Sequence, residues 1–374
     1  MDILILNWKD IKHPQTGGAE IIVYELAKRL VKDGHNVTWF CRSFPQATPE
    51  ENIDGIRIIR RGNLVTMYLL APIFYWSEKE KPDLVIDCSN TIYWQTPIWA
   101  WRSRKVAYLN QLAKEVFWYE YPPIVSHLGW LIERLQYLTY LNISFLCYAN
   151  STKQDLISTG IPAGNINVFP LGLDHSRYHP GAKSSTPLFI SVSRLVKMKR
   201  TDLAIRAIDI VRRSYPKVKL VIVGTGYDRS RLQKLRDNLH LESQVEFADE
   251  NVWFFKKNNR DIKLKLMQQA WALIFPSVKE GLGMTVTECA ACGTPAVVSD
   301  VTGLRDSVLN DKTGIILSSN PSSEEIAESM IKIIKDEKLR DAFYTNCLNW
   351  ADKFDWDKSF SRFHKLINYV SEIK

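Results

Sequence analysis

Short apolar runs alternate with stretches of helical period along most of the chain, and this alternation limits the fold more than any other feature. The opening run "ILILNW" is strand-length and has no polar alternation, so it reads as a buried parallel strand. A polar loop follows, "KDIKHPQTGG". The next stretch, "AEIIVYELAKRLVKDG", puts Ile22, Leu26 and Leu30 on one helical face, with Gly34 as the C′ stop. "HNVTWFC" is again a strand, which completes a βαβ unit. "DLVIDCSN", "KVAYLN" and "SFLCYANS" continue the series. A stretch rich in Pro, Gly and Ser, Phe169–Pro187, then reads as a linker. After it the alternation restarts with "LFISVSRL", "TDLAIRAIDIVRRSY" and "VKLVIVGTG", and it continues through "WALIFPS" and "PAVVSD". Ser322 followed by Glu325 forms a capping box before a helical C-terminal stretch. The expected fold class is α/β, with two Rossmann-like doubly wound parallel-sheet domains at residues 1–175 and 176–355. Ligands of such sheets bind beyond the carboxyl ends of the strands, here in a cleft between facing domains.

The length of 374 residues fits two domains at about 150 residues each. The net charge of +8 is unevenly spread: residues 1–174 hold 17 Lys+Arg and 17 Asp+Glu, leaving 32 against 24 in the rest. A basic second half suits an anionic ligand, although a solvated basic surface would have the same composition. Six scattered cysteines give no disulfide framework and fit a reducing compartment. The opening "MDILILNW" has no secretory signal pattern, and the longest apolar run, Leu64–Trp76, is too short to span a bilayer. Cytoplasmic residence is therefore expected. Aromatic residues crowd Tyr93–Tyr140, a segment that reads either as core or as a surface for a lipid interface or apolar acceptor.

Several loops after strands carry candidate chemistry. Gly17 and Gly18 precede the first helix and would let backbone amides approach a phosphate, but without a GxGxxG pattern they also fit a tight turn. Arg194 and Lys199 follow the first strand of the second half; a guanidinium fork and an ammonium both suit phosphate, and a basic surface loop is the plain alternative. Gly224 ends "VIVG" and fits a ligand's approach or a turn equally.

The stretch "KEGLGMTVTECAACG" is the most informative. Glu280 lies in a glycine loop, and a helix starting near Met284 or Thr285 and stopping at Gly293 carries Glu288. Amides at Gly283, Met284 and Thr285 would face an anion or sugar hydroxyls. Glu288 also fits a helix N-terminal carboxylate serving only the dipole. An acid and nucleophile pair of glycosidase type is not excluded by the spacing, but the nearby phosphate-type residues favour a nucleotide ligand. Cys289 and Cys292 lack the further ligands a zinc site needs and read as packing residues.

The ordered set "GGAE", "NS", "PLGLD", "SRLVKMK", "VGTG", Glu280-x7-Glu288, "GTPAVVSD" and "FDWDKS" resembles the GT4 retaining glycosyltransferases of GT-B fold, nearly end to end. The resemblance implies that a C-terminal helix, 356–374, crosses back to the first domain. It implies a UDP- or GDP-sugar donor, with no bound metal and no cofactor required. Glu280 would contact the donor sugar, with the amides of Gly281, Leu282, Gly283, Met284 and Thr285 around it. Glu288 would hold the ribose, Arg194 and Lys199 would neutralise the leaving diphosphate, and Gly17, Gly18 and Gly224 would border the donor. The acceptor would be a glycan or a lipid-linked acceptor, not a nucleic acid. Peripheral attachment at the inner membrane face is a separate expectation that rests on the aromatic residues 93–140. Many relatives carry histidine in a "HQLA"-like segment where this chain reads "NQLA", with Asn110. Asparagine hydrogen-bonds a hydroxyl but moves no proton at neutral pH. A nucleotide-sugar epimerase of the same fold is one alternative, and a transfer-impaired nucleotide-sugar-binding protein, on account of Asn110, is another.

Overall fold

The computed structural model describes residues 1–248 and 260–372. The last two positions of the expected C-terminal helix, 373 and 374, lie outside the described residues. The chain divides into two compact units. One comprises residues 1–114 and 124–172 with the chain from Trp356 onward, and the other comprises 115–123 and 173–355.

The first half runs β1 (Asp2–Leu6), α1 (Gly18–Lys32), β2 (Asn36–Cys41), β3 (Glu50–Ile53), β4 (Ile56–Arg60), α2 (Met67–Ser77), β5 (Leu84–Ser89), α3 (Thr96–Trp99), β6 (Arg104–Leu109), α4 (Val116–Glu120), α5 (Pro123–Gln136), β7 (Ser144–Cys147), α6 (Asn150–Ile157) and β8 (Ile166–Val168). The second half continues β9 (Leu188–Val192), α7 (Thr201–Val211), β10 (Lys219–Val223), α8 (Arg229–Asn238), β11 (Val245–Phe247), α9 (Arg260–Gln269), β12 (Ala272–Phe275), α10 (Met284–Ala291), β13 (Ala296–Val298), α11 (Leu304–Ser307), β14 (Gly314–Ile316), α12 (Ser323–Lys335) and α13 (Glu337–Ala351). The helix α14 (Trp356–Glu372) follows.

The first sheet has the order β3-β4-β2-β1-β5-β6-β7-β8, with only β3 antiparallel. The second is wholly parallel in the order β11-β10-β9-β12-β13-β14. Strand order reverses between β1 and β5 in one and between β9 and β12 in the other, the positions where open α/β sheets bind ligands. Both units are thus of the Rossmann-like kind that the alternation of periods leads one to expect. The apolar runs are central strands because every residue of β5 and of β12 is buried.

Local signals explain the helix limits. Gly34 takes φ +84° just past α1. The Ser322 hydroxyl accepts from the Glu325 amide at 3.2 Å to start α12. In the first unit α14 packs on α1 and β6. Arg104 donates to the Val370 carbonyl at 3.0 Å, and Phe363 meets Phe169 at 5.7 Å. Gly172 is required by that packing, since a Cβ there would lie 2.1 Å from the Trp356 ring.

Candidate functional site

The second sheet's reversal point gathers most of the candidate residues. Beyond β9 the chain enters a 3-10 turn, Lys197–Lys199, which tucks Lys199 inward until it is buried. Beyond β12 a loop brings Glu280 to it, and the Lys199 ammonium donates to the Glu280 carboxylate. The ammonium also lies 5.5 Å from the centre of the Phe275 ring. Burial lowers the Lys199 pKa; the Glu280 carboxylate opposes that and the nearby Arg194 adds to it. Arg194 itself is exposed on the same loop. One cation is therefore locked to a carboxylate and the other is open to a ligand.

Two glycine positions shape this loop by necessity. Gly224 and Gly226 both have φ +156°, and a Cβ would lie 1.8 Å from the Ser193 carbonyl oxygen and 2.1 Å from that of Leu195, respectively. The loops after β9 and β10 are laced together by Ser193 N–H to Val223 O at 3.1 Å and Leu195 N–H to Thr225 O at 2.8 Å. Gly224 is thus demanded by the neighbouring backbone. Gly17 is different: it caps α1 with φ −134°, and the nearest atom to its Cβ position is Glu20 Oε2 at 3.6 Å, ordinary contact. Its amide donates to that same Glu20 oxygen at 2.8 Å, and Gly18 opens the helix, exposed.

The helix α10 begins at Met284, with Gly283 as its N-cap at φ +82°. Met284 and Thr285 are half-buried, as is Gly281, while the Leu282 side chain is buried. The first-turn amides of Met284 and Thr285 sit at the positive end of the helix dipole. Gly303 holds this loop: at φ +84°, its Cβ position is 2.2 Å from the Glu280 carbonyl oxygen. The Glu280 amide in turn donates to Thr302 O at 3.2 Å. Glu288, in the second turn of α10, is buried. It accepts from Lys263 Nζ at 2.7 Å and is hydrogen-bonded to the Tyr178 hydroxyl, whose pKa is raised first by burial and then by that carboxylate. Cys289 and Cys292 are buried free thiols. Burial pushes the first well above the ordinary thiol value and the second to about 12, so both are inert packing groups.

Partners that the motif search does not reach complete the second unit's site. Glu120, at the end of α4, accepts from the Met198 amide at 2.8 Å and from the Tyr227 hydroxyl. Lys279, buried beside Glu280, pairs with Glu115 at 2.9 Å. No spacing rule connects residues 115–120 with 198 or 279; only the fold does.

In the first unit Asn110 directly follows β6, half-buried. The reversal point there is lined by amides: Asn90 donates to Asn7 Oδ1 at 2.6 Å. The loop between β1 and α1 is pinned by a buried ion pair, Asp10 to Arg60 at 2.7 Å, and by the Thr16 hydroxyl donating to the Asp10 carbonyl at 2.6 Å.

Comparison with known proteins bears on this arrangement. Residues 175–350 match the family described as Glycosyl transferases group 1, and residues 16–177 match Glycosyltransferase Family 4. An uncharacterized glycosyltransferase of Methanocaldococcus jannaschii is 25% identical, with 96% of this chain and 95% of that protein covered. The D-inositol 3-phosphate glycosyltransferase of Corynebacterium jeikeium is 26% identical over 54% of this chain and 51% of its own length, so there the chain spans about half of its relative. Among solved structures, sucrose-phosphate synthase from Thermosynechococcus elongatus superposes with a TM-score of 0.79 at 18% identity, covering 99% of this chain and 98% of the other.

Proposed function

The chain belongs to the GT4-type glycosyltransferases and has their GT-B fold, and from this premise we propose that it is a retaining hexosyltransferase. It moves a sugar from a UDP- or GDP-sugar to a glycan or lipid-linked acceptor, working in the cytoplasm at the membrane surface. The observation that carries this reading is the Lys199–Glu280 pair beside exposed Arg194, at the reversal point of a sheet and at the N-terminus of α10.

Arg194 and Lys199 neutralise the diphosphate as its bond to the sugar breaks, so charge that develops in the transition state meets fixed cations. Glu280 and the amides of Gly281 to Thr285 hold the sugar hydroxyls. Glu288, oriented by Lys263 and Tyr178, receives the ribose hydroxyls. Gly17 and Gly18 leave the diphosphate room, and Asn110 positions the sugar. The acceptor oxygen bonds to the anomeric carbon on the face that the diphosphate leaves, and the acceptor's proton goes to the departing phosphate oxygen. No protein nucleophile is then required.

A thermal-shift panel of UDP-, GDP- and ADP-sugars tests the donor: the right one at a hundredfold its Kd should add about 2.7 kcal/mol of stability. Transfer assays on Glu280→Ala and Arg194→Ala test the site. Full turnover in both variants sinks the assignment.

A further inference from the structure

The turn that carries Lys199 is held by a residue far from it in sequence. Glu120, the last residue of α4, lies 78 positions before Met198. One of its carboxylate oxygens accepts from the Met198 amide at 2.8 Å, and the other accepts from the Tyr227 hydroxyl. The Tyr227 oxygen in turn accepts from the Lys197 amide at 3.1 Å. Two successive amides of the turn Lys197–Lys199 therefore hang on one carboxylate, one directly and one through a phenol. Hydrogen bonds to a charged acceptor are the stronger kind, so this is a firm hold on the backbone that leads into Lys199.

The same hold reaches the Glu280 loop. The Met198 carbonyl accepts from the Val278 amide at 2.9 Å, two residues before Glu280. Glu115, at the other end of α4, pairs with Lys279 at 2.9 Å. One short helix thus fastens the loops after β9 and β12, which bring Lys199 and Glu280 together. Its two anchors are unequal. Met198 is buried and Glu120 half-buried, whereas the Glu115 side chain is 57% exposed, so water screens its pair with Lys279.

Glu120 also acts through its charge. Burial is the largest influence on Lys199 and disfavours the ammonium. Glu280 opposes burial, Arg194 adds to it, and Glu120 is the second carboxylate that opposes it. The Phe275 ring, 5.5 Å from the ammonium, favours the cation as well. The Tyr227 hydroxyl does not titrate in its place, since burial first, and then Glu120, pushes it to about 12. A cation that meets charge developing on a leaving group must be in register and must be charged. One carboxylate on α4 serves both needs.

We propose that Glu120 is a positioning residue for sugar transfer, which sets the Lys197–Lys199 turn in place and gives Lys199 a second negative charge to face. It acts through Lys199 and not on the donor. This deepens the functional reading and rests on it for the role of Lys199; the coupling of Glu120 to Lys199 is open to measurement without any donor.

Initial rates of donor turnover by the full chain with UDP-glucose and with GDP-mannose, from about pH 7 to 10, test it. Glu120→Gln should lower kcat about tenfold to a hundredfold. The donor KM should stay near its wild-type value, because Lys199 meets charge that develops only as the bond breaks. The alkaline limb of the profile should begin at lower pH, since one carboxylate fewer favours the ammonium. Glu120→Asp keeps the charge and shortens the reach, so the limb should return toward the wild type while kcat stays low. Tyr227→Phe should lower kcat about fivefold, the worth of one hydrogen bond, and leave the limb in place. Wild-type kcat in Glu120→Gln, or a lowered kcat with an unmoved limb, overturns the proposal. A double-mutant cycle of Glu120→Gln and Lys199→Met in urea melts needs no donor. The loss in the double variant should fall short of the sum of the single losses, and additive losses overturn the proposal. A wild type that turns over neither donor counts against the transferase reading instead, and the cycle then decides the coupling by itself.

Discussion

The two sheets reverse their strand order in the same way, yet the reversal points carry opposite chemistry. In the first unit the residues just after β1 and β5 are neutral amides, Asn7 and Asn90, 2.6 Å apart, and the ions of the β1–α1 loop are held in pairs, Asp10 with Arg60 and Lys9 with Glu20. In the second they are ions, Lys199 and Glu280, with Arg194 beside them. An amide pair offers a donor and an acceptor to hydroxyl groups without preferring an anion; an ion pair with a spare cation prefers one. Under the proposed function, the topology sets where a ligand would sit, and the side chains set the charge it would carry.

The comparison breaks or sharpens under substitution, and the largest effect should come from Lys199. Lys199→Ala strands the Glu280 carboxylate and should cost about 3–5 kcal/mol of unfolding free energy in denaturant melts. Arg194→Ala should leave stability within about 0.5 kcal/mol yet lower donor turnover by about 10²–10³-fold. Equal stability losses in the two would erase the distinction between a locked and an open cation. Glycines come next. Gly224→Ala should cost about 1–3 kcal/mol because its Cβ meets a carbonyl oxygen. Gly17→Ala should spare the fold and weaken donor-induced thermal stabilisation instead.

A pH effect should also divide the units. Burial first, and then Arg42 and Lys9, lower the His13 pKa from 6.5 to about 4. Between those values the unfolded chain binds a proton that the folded chain does not, so stability falls as pH falls through that window. His13→Asn should flatten that slope in urea melts between pH 6.5 and 4. The smallest effect belongs to the amide pair: Asn90→Ala should cost about 1 kcal/mol and leave the donor's thermal shift intact.

Much of this was legible in the residues because periodicity and caps are local. Gly34 and Ser322 act where their spacing puts them, and Met284 starts the helix that carries Glu288. The hairpin of β3 and β4 was legible too, through Asp54-Gly55, both at positive φ, but a reading tuned to βαβ units passes over it. Lys263 and Tyr178 were not legible: they reach Glu288 from a preceding helix and from the linker, at separations that follow no period. The period of α5 reveals an apolar stripe but not its direction. The fold shows that the polar side points in, through Glu133 binding two amides and Gln136 bonding the Tyr93 amide and the Thr91 carbonyl.

The short segment 115–123 has a consequence for anyone recombining such proteins. It leaves the first half of the chain to belong structurally to the second unit, where Glu120 holds the Met198 amide and Glu115 holds Lys279. A chimera cut only at the boundary after Gly172 and before Trp356 would import a second unit stripped of those two carboxylates, and the graft would need to carry residues 115–123 as well. The natural seams for exchange are therefore four, not two.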